Sequence, residues 1–155
     1  MIKSATLSDC RTYRYSLSRT WDNSKAYVLF IGLNPSTADE NKDDPTIRRC
    51  IDYAKSWGFG GLKMVNLFAY RATLPSDLKK ADFPIGVDND KHIKELSSSA
   101  SITIVAWSND GSYLNRDKEV LELIKNPMCL NINKPRQPSH PLYQKKDLKP
   151  KSYLL

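Results

Sequence analysis

Short apolar runs alternate with amphipathic segments along the chain. The apolar runs have the length and composition of buried β-strands and cover residues 26–31, 62–67, 101–107 and 128–132. Apolar residues recur at helical spacing in three segments, 45–57, 88–99 and 114–124. Strands that alternate with helices indicate parallel βαβ units. The pattern therefore predicts an α/β protein, a three-layer α/β/α sandwich with a mostly parallel central sheet.

Local signals indicate where these elements begin and end. Asp44 and Pro45 are typical of a helix start, because a carboxylate can cap the first turn and proline fits within it. Gly58 closes that helix. Residues 13–19 alternate and are β-prone, which predicts an edge strand, whereas 133–155 is rich in Pro and Lys and is predicted to be irregular. With neither a linker nor a repeat, the 155 residues are expected to form one domain.

Composition excludes several classes of protein. No apolar stretch approaches the ~20 residues that cross a bilayer, and no signal-peptide pattern is present, so we expect a cytoplasmic protein without a membrane partner. The three cysteines are far apart and the two histidines do not have metal-ligand spacing. The chain also lacks the glycine-rich loops of nucleoside-triphosphate and dinucleotide sites. We therefore predict no metal and no cofactor, and expect a monomer.

Positive charge is concentrated near the C-terminus. The net charge is +7, and residues 134–151 hold six basic side chains against Asp147 alone. Such a segment favours a polyanionic partner such as nucleic acid, although a solvated tail that keeps the protein in solution has the same composition. The predicted nucleic-acid contacts are Arg48, Arg49, Lys134, Arg136, Lys145 and Lys146.

Amide and hydroxyl side chains follow the predicted strands. Asn34 lies in the turn after strand 26–31, and Asn66 lies near the end of strand 62–67. Trp107 ends a third strand, and His140 follows the last one. Because ligands bind at the carboxyl ends of parallel strands, these residues are expected to share one rim. A rim of amides suits the edge of a planar heterocycle, and its few carboxylates fit poorly with metal-dependent phosphoryl transfer.

Four short segments resemble a known family as a set. They cover residues 32–36 (Gly-Leu-Asn-Pro-Ser), 44–50, 65–73 and 140–143 (His-Pro-Leu-Tyr). Together they resemble the family catalogued as domain of unknown function 1643, which occurs in bacteria and their phages. The resemblance extends over about residues 10–145.

The same segments are more distantly similar to the uracil-DNA glycosylase superfamily. In that superfamily a strand enters a Gly-x-Asn-Pro or Gly-x-Asp-Pro turn, a later strand ends in Asn or Lys, and a His-Pro turn comes near the end. Residues 32–36, 65–73 and 140–141 follow this order. The resemblance implies a glycosylase-like fold and metal-free hydrolysis of the N-glycosidic bond of an extruded base, modified or mismatched.

Roles follow residue by residue from that resemblance. Asn34 would position the attacking water, as in the slower mismatch-specific branch, and His140 would donate a hydrogen bond to the departing base. Asn66 would read the hydrogen-bonding edge of the base. Phe68, Trp57 or Phe59 would stack on it. The substrate-binding residues implied in this way are Gly32, Pro35, Ser36, Asn66, Phe68, Arg71 and Trp107.

The same residues have structural interpretations. Asp44 is more typical of a helix cap than of a catalytic carboxylate, and Trp107 is more typical of a core residue than of a base platform. His140 fits a structural role in a loop equally well. Two functional alternatives also remain: a non-catalytic nucleic-acid or nucleotide-binding module on this fold, and an enzyme for a free nucleoside or modified base, for which the basic tail would be incidental.

Overall fold

A seven-stranded mixed sheet organises the chain, of which the computed structural model describes residues 1–153. The strands are β1 (Ile2–Leu7), β2 (Arg14–Thr20), β3 (Tyr27–Gly32), β4 (Gly61–Asn66), β5 (Ile102–Val105), β6 (Met128–Cys129) and β7 (Lys151–Ser152). Their spatial order is β1-β2-β4-β3-β5-β6-β7. The predicted α/β class is thereby confirmed.

Only the centre of the sheet is parallel. Strands β4, β3, β5 and β6 run parallel, whereas β1 and β2 at one side and β7 at the other are antiparallel to their neighbours. The predicted mostly parallel sheet is therefore found only in part. In the parallel register, Gly32 at the end of β3 lies beside Asn66 at the end of β4.

Each of the three predicted helical segments contains a helix, and a fourth helix lies at 75–80, where none was predicted. The helices are α1 (Pro45–Ser56), α2 (Pro75–Lys80), α3 (Asn89–Ser99) and α4 (Arg116–Leu121). The predicted start of α1 is confirmed, because the Asp44 side chain accepts a hydrogen bond from the Ile47 amide at 2.9 Å. Helix α4 is shorter than the predicted 114–124, since Leu114 and Asn115 both have φ of 57°, outside the helical region.

The core lies on both faces of β3. Val28 and Phe30 belong to a cluster with the apolar residues of α1, whereas Leu29 and Ile31 belong to a second cluster with one residue each from α2, α3 and α4. Successive side chains of a strand point to opposite faces, which explains the alternation. Burial of each such side chain stabilises the fold by about 1.5–3 kcal/mol.

The ends of the sheet differ from the sequence prediction. The strand predicted at 13–19 corresponds to β2, which pairs on both sides and so is not an edge. Strand β7 lies within 133–155, a segment predicted to be irregular, and pairs with β6. Tyr153 anchors it, because that side chain is buried and its hydroxyl donates to the Arg136 carbonyl at 2.6 Å. Within residues 1–153, no helix has the length and apolarity to cross a membrane.

Candidate functional site

A cleft of about 460 Å³ lies at the carboxyl ends of β3, β4 and β5. Loops from distant parts of the chain form its walls, as is usual for ligand sites of α/β sheets. The cleft brings together seven of the residues predicted from sequence, which are Gly32, Asn34, Pro35, Ser36, Asn66, Trp107 and His140. Both predicted catalytic residues are therefore in one cavity, whose volume is within the range of small-molecule sites.

Backbone carbonyls fix the orientation of the Asn34 amide. Its Nδ2 donates to the carbonyl of Ala72 at 2.7 Å and to that of Pro35 at 3.0 Å. Because a carbonyl can only accept, the amide nitrogen must face these two groups. Asn34 Oδ1 accepts no hydrogen bond from residues 1–153 and belongs to a residue that lines the cleft. It is therefore an oriented acceptor with free capacity.

Asn66 has a buried donor without a partner. Its side chain is 3% exposed, and Nδ2 makes no hydrogen bond within the described chain. The backbone carbonyl of Asn66 is satisfied separately, by Asn89 Nδ2 at 2.9 Å. Gly32 leaves room for the amide, since a Cβ there would lie 2.7 Å from Asn66 Oδ1. An unpaired buried donor costs about 1–3 kcal/mol, which an acceptor on a ligand would offset.

His140 is held as the neutral imidazole with its proton on Nε2. The backbone amide of Leu142 donates to His140 Nδ1 at 3.1 Å, so Nδ1 carries a lone pair and Nε2 carries the proton. Arg49 fixes this loop against α1 by donating to the Gln144 carbonyl at 2.7 Å. Burial lowers the pKa of His140 below its ordinary 6.5, and the negative charge of Asp44 opposes this only in part.

We expect His140 to titrate below pH 6.5, because burial disfavours the imidazolium and Nδ1 already accepts a hydrogen bond. A folded-state pKa below that of the unfolded chain means that its contribution to stability is lost as pH falls from about 6.5 through the folded value. The measurement is an NMR titration of the imidazole Cε1 protons, with His92→Gln to assign the two signals. A pKa of 6.5 or higher for His140 would contradict the assigned tautomer and burial.

Trp107 forms a rigid wall of the cleft. It is fully buried, and its Nε1 donates to Gln137 Oε1 at 2.8 Å. Gly111 packs against the ring edge so closely that a Cβ would lie 2.0 Å from Trp107 Cδ1. The indole is therefore immobilised by its neighbours, which suits a wall better than an adaptable stacking surface.

Other predicted residues lie away from the cleft. Phe68 is fully buried and packs against Tyr113, with ring centroids 5.7 Å apart, and Trp57 and Phe59 pack against the core cluster of α1. Arg71 lines an adjoining cleft. The remaining basic residues are exposed on the surface, and they are Arg48, Lys134, Arg136, Lys145 and Lys146.

Tyr143 and Arg14 are among the lining residues of the cleft that were not predicted as site residues. Tyr143 is 82% exposed and its ring centroid is 5.5 Å from that of His140. Its place in the His-Pro-Leu-Tyr segment was the only sequence signal for it. Arg14 is buried at the start of β2, and no sequence signal indicated this, because arginine is rarely buried. No group of three or more His, Cys, Asp or Glu among residues 1–153 is arranged to hold a metal ion.

Comparison with known families identifies the chain at the level of family. A family model described as "Protein of unknown function (DUF1643)" matches residues 14–142. The chain belongs to the DUF1643 family. The matched region contains every residue that lines the cleft except Tyr143. A search of curated proteins found no match for the chain, and neither did a search of solved structures.

Proposed function

We propose that the cleft binds a base extruded from nucleic acid and that the protein hydrolyses its N-glycosidic bond, on a three-layer fold of the uracil-DNA glycosylase type. One observation supports this above all others. Three polar groups with free hydrogen-bonding capacity belong to residues that line the same cleft: Asn34 Oδ1, the Asn66 amide and His140 Nε2. Together they supply an acceptor for water and donors for the oxygen atoms of a base.

Asn34 is suited to hold the attacking water. Its Oδ1 accepts a hydrogen bond from the water, whose oxygen then bonds to the anomeric carbon of the sugar. A neutral amide is a weak base, so it orients the water and does not remove a full proton before attack. This role requires a fixed amide, and the two hydrogen bonds from Nδ2 to backbone carbonyls supply that.

His140 is suited to stabilise the leaving base. As the C–N bond breaks, its electron pair moves to the base and negative charge develops on a base oxygen. The proton that the attacking water loses when its oxygen bonds to the sugar passes through solvent to the departing base, which leaves neutral. A neutral imidazole that donates from Nε2 stabilises this charge without having to lose its own proton. Loss of one such donor commonly lowers kcat by about 10²–10³-fold. Asn66 would pair with the base before and during this step.

The test is strand scission after alkali, with labelled single- and double-stranded oligonucleotides. The substrates carry uracil, G·U and G·T mismatches, hypoxanthine or hydroxymethylated pyrimidines. We expect abasic sites from at least one substrate, lost in His140→Ala, and binding that weakens steeply with salt. Salt-sensitive binding without cleavage would reject the hydrolysis and indicate a protein that only recognises nucleic acid. If neither occurs, the nucleic-acid proposal fails and free nucleosides become the substrates to assay.

A further inference from the structure

Arg14 is a buried cation that lacks a charge partner. Its side chain is 2% exposed and belongs to the lining of the cleft. It donates one hydrogen bond, from Nη1 to the Ala38 carbonyl at 3.0 Å, whereas Nε is buried without a partner. Among residues 1–153 it forms no ion pair with a carboxylate. Burial of the Arg14 guanidinium in this state is costly, because it removes the water around the charge and a single hydrogen bond to a carbonyl replaces only part of that hydration.

The other two buried arginines are fully engaged. Arg19 pairs with Asp43 at 2.7 Å and donates to four backbone carbonyls. Arg116 pairs with Asp90 and with Glu119 and donates to a third acceptor, a backbone carbonyl. The fold thus satisfies buried guanidinium groups where they serve structure. Arg14 is the exception among these three, and it is the one that lines the cleft.

A second cleft of about 520 Å³ adjoins the first on the side of Arg71. Four residues line both clefts, namely Ser36, Thr37, Ala72 and Thr73, so the two cavities are direct neighbours. Arg71 Nε is also buried without a partner. Two unused guanidinium donors therefore belong to residues of neighbouring clefts, and the hydroxyl residues Ser36, Thr37 and Thr73 line both clefts. Arginine guanidinium groups and hydroxyl groups commonly bind phosphate oxygens in proteins.

The charges around Arg14 agree with an anion site. Burial lowers the pKa of Arg14 to about 10; the charges of Asp44 and Asp39 act in the opposite direction, and the nearby charges of Arg71 and Arg19 lower it further. Arg14 remains charged at pH 7 nevertheless. Asp44 does not pair with Arg14: its two carboxylate oxygens accept the backbone amides of Ile47 at 2.9 Å and Ala38 at 3.4 Å, and no ion pair joins the two side chains within residues 1–153. A negatively charged ligand would relieve the repulsion between the arginines.

We propose that Arg14 and Arg71 form a phosphate subsite at the junction of the two clefts, next to the pocket for the base. The inference rests on the proposed function, since it assigns the group attached to the sugar of that base. The phosphate belongs either to a phosphodiester in a nucleic acid or to a free nucleotide. Within residues 1–153 Arg14 makes a single hydrogen bond and leaves Nε unused, whereas Arg19 makes an ion pair and four hydrogen bonds to carbonyls.

The first measurement is thermal unfolding with and without excess inorganic phosphate. We expect phosphate to raise the Tm of the wild type by mass action, with the shift lost in Arg14→Met and reduced in Arg71→Met. Without phosphate, Arg14→Met should melt within about 2 °C of the wild type, whereas the matched variant Arg19→Met should melt about 10 °C lower. Lys91→Met removes an exposed charge elsewhere and should leave the phosphate shift unchanged.

Calorimetry then identifies the source of the phosphate. The probes are deoxyuridine, deoxyuridine 5′-monophosphate and a short single-stranded oligodeoxynucleotide. Preference for the nucleotide over the nucleoside indicates a monoester, and preference for the oligonucleotide indicates a diester. In either case binding should weaken by about tenfold or more in Arg14→Met.

Three results would overturn the subsite. The first is a wild type that responds to none of the phosphate-bearing probes, and the second is an Arg14→Met variant that responds as strongly as the wild type. The third is an Arg14→Met variant that unfolds as readily as Arg19→Met, which would show that Arg14 is a structural arginine. Phosphate binding that depends on Arg14, without any release of a base, would leave the subsite intact and reject only the proposed hydrolysis.

Discussion

Replacement of Asn34 by alanine is expected to lower the rate of base release by about 10²-fold or more, because the attacking water loses the group that positions it. Alanine removes the only side-chain oxygen that Asn34 offers to water in the cleft. It also leaves the carbonyls of Ala72 and Pro35 without their donor, so the loop after β3 should loosen. The measurement is the single-turnover rate on the substrate found in the strand-scission assay.

The variant Asn34→Asp gives a sharper test of the same geometry. Aspartate is the stronger base, but both of its oxygens are acceptors, and one would face the two carbonyls that now bind Nδ2. We therefore expect the carboxylate to be destabilised, its pKa to rise, and the rate at neutral pH to fall below that of the wild type.

Asn23→Ala is the control, because Asn23 is exposed in the turn before β3 and should leave the rate unchanged. Circular dichroism of each variant separates lost catalysis from lost folding. Wild-type rates in Asn34→Ala would refute the assignment of the water site.

The largest expected loss of stability is that of Arg19→Met, at about 3–5 kcal/mol in the free energy of unfolding. The Arg19 side chain is 0% exposed and donates to the carbonyls of Asp39 at 2.6 Å and Lys42 at 2.9 Å. These contacts tie the loop between β3 and α1 to β2. Methionine would leave Asp43 without its main partner and four half-buried carbonyls without these donors. Urea unfolding at pH 7 measures the change.

Low pH should weaken the ion pair between Arg19 and Asp43. Burial raises the pKa of Asp43, but hydrogen bonds and charge from Arg19 and Lys3 outweigh this and hold the pKa below its ordinary 3.8. An aspartate with a lowered pKa stabilises the fold above its unfolded-state value, and that contribution is lost as pH falls through the folded-state value. We expect a smaller acid-dependent fall in Tm for Arg19→Met than for the wild type. Equal pH dependence would show that the pair contributes nothing.

Much of the fold was predictable because its signals are local. Strand β3 follows from an unbroken apolar run, and α1 follows from a capping aspartate and a proline before apolar residues at helical spacing. The rim was also predictable, since parallel strands place their carboxyl ends on one side. Seven predicted residues line the cleft for this reason. Phe68 does not, because the sequence indicated its position after β4 but not that it would turn into the core.

Local sequence patterns were sufficient for the α/β class, for the family through its four segments, and for the residues that follow the central strands. Which polar atoms remain free to act depends on tertiary contacts. The Asn34 amide is oriented by a carbonyl 38 residues away, and Arg14 is buried in the lining of the cleft without a carboxylate in an ion pair with it among residues 1–153. Hydrogen-bond satisfaction depends on groups brought together from distant parts of the chain, and local patterns do not encode it.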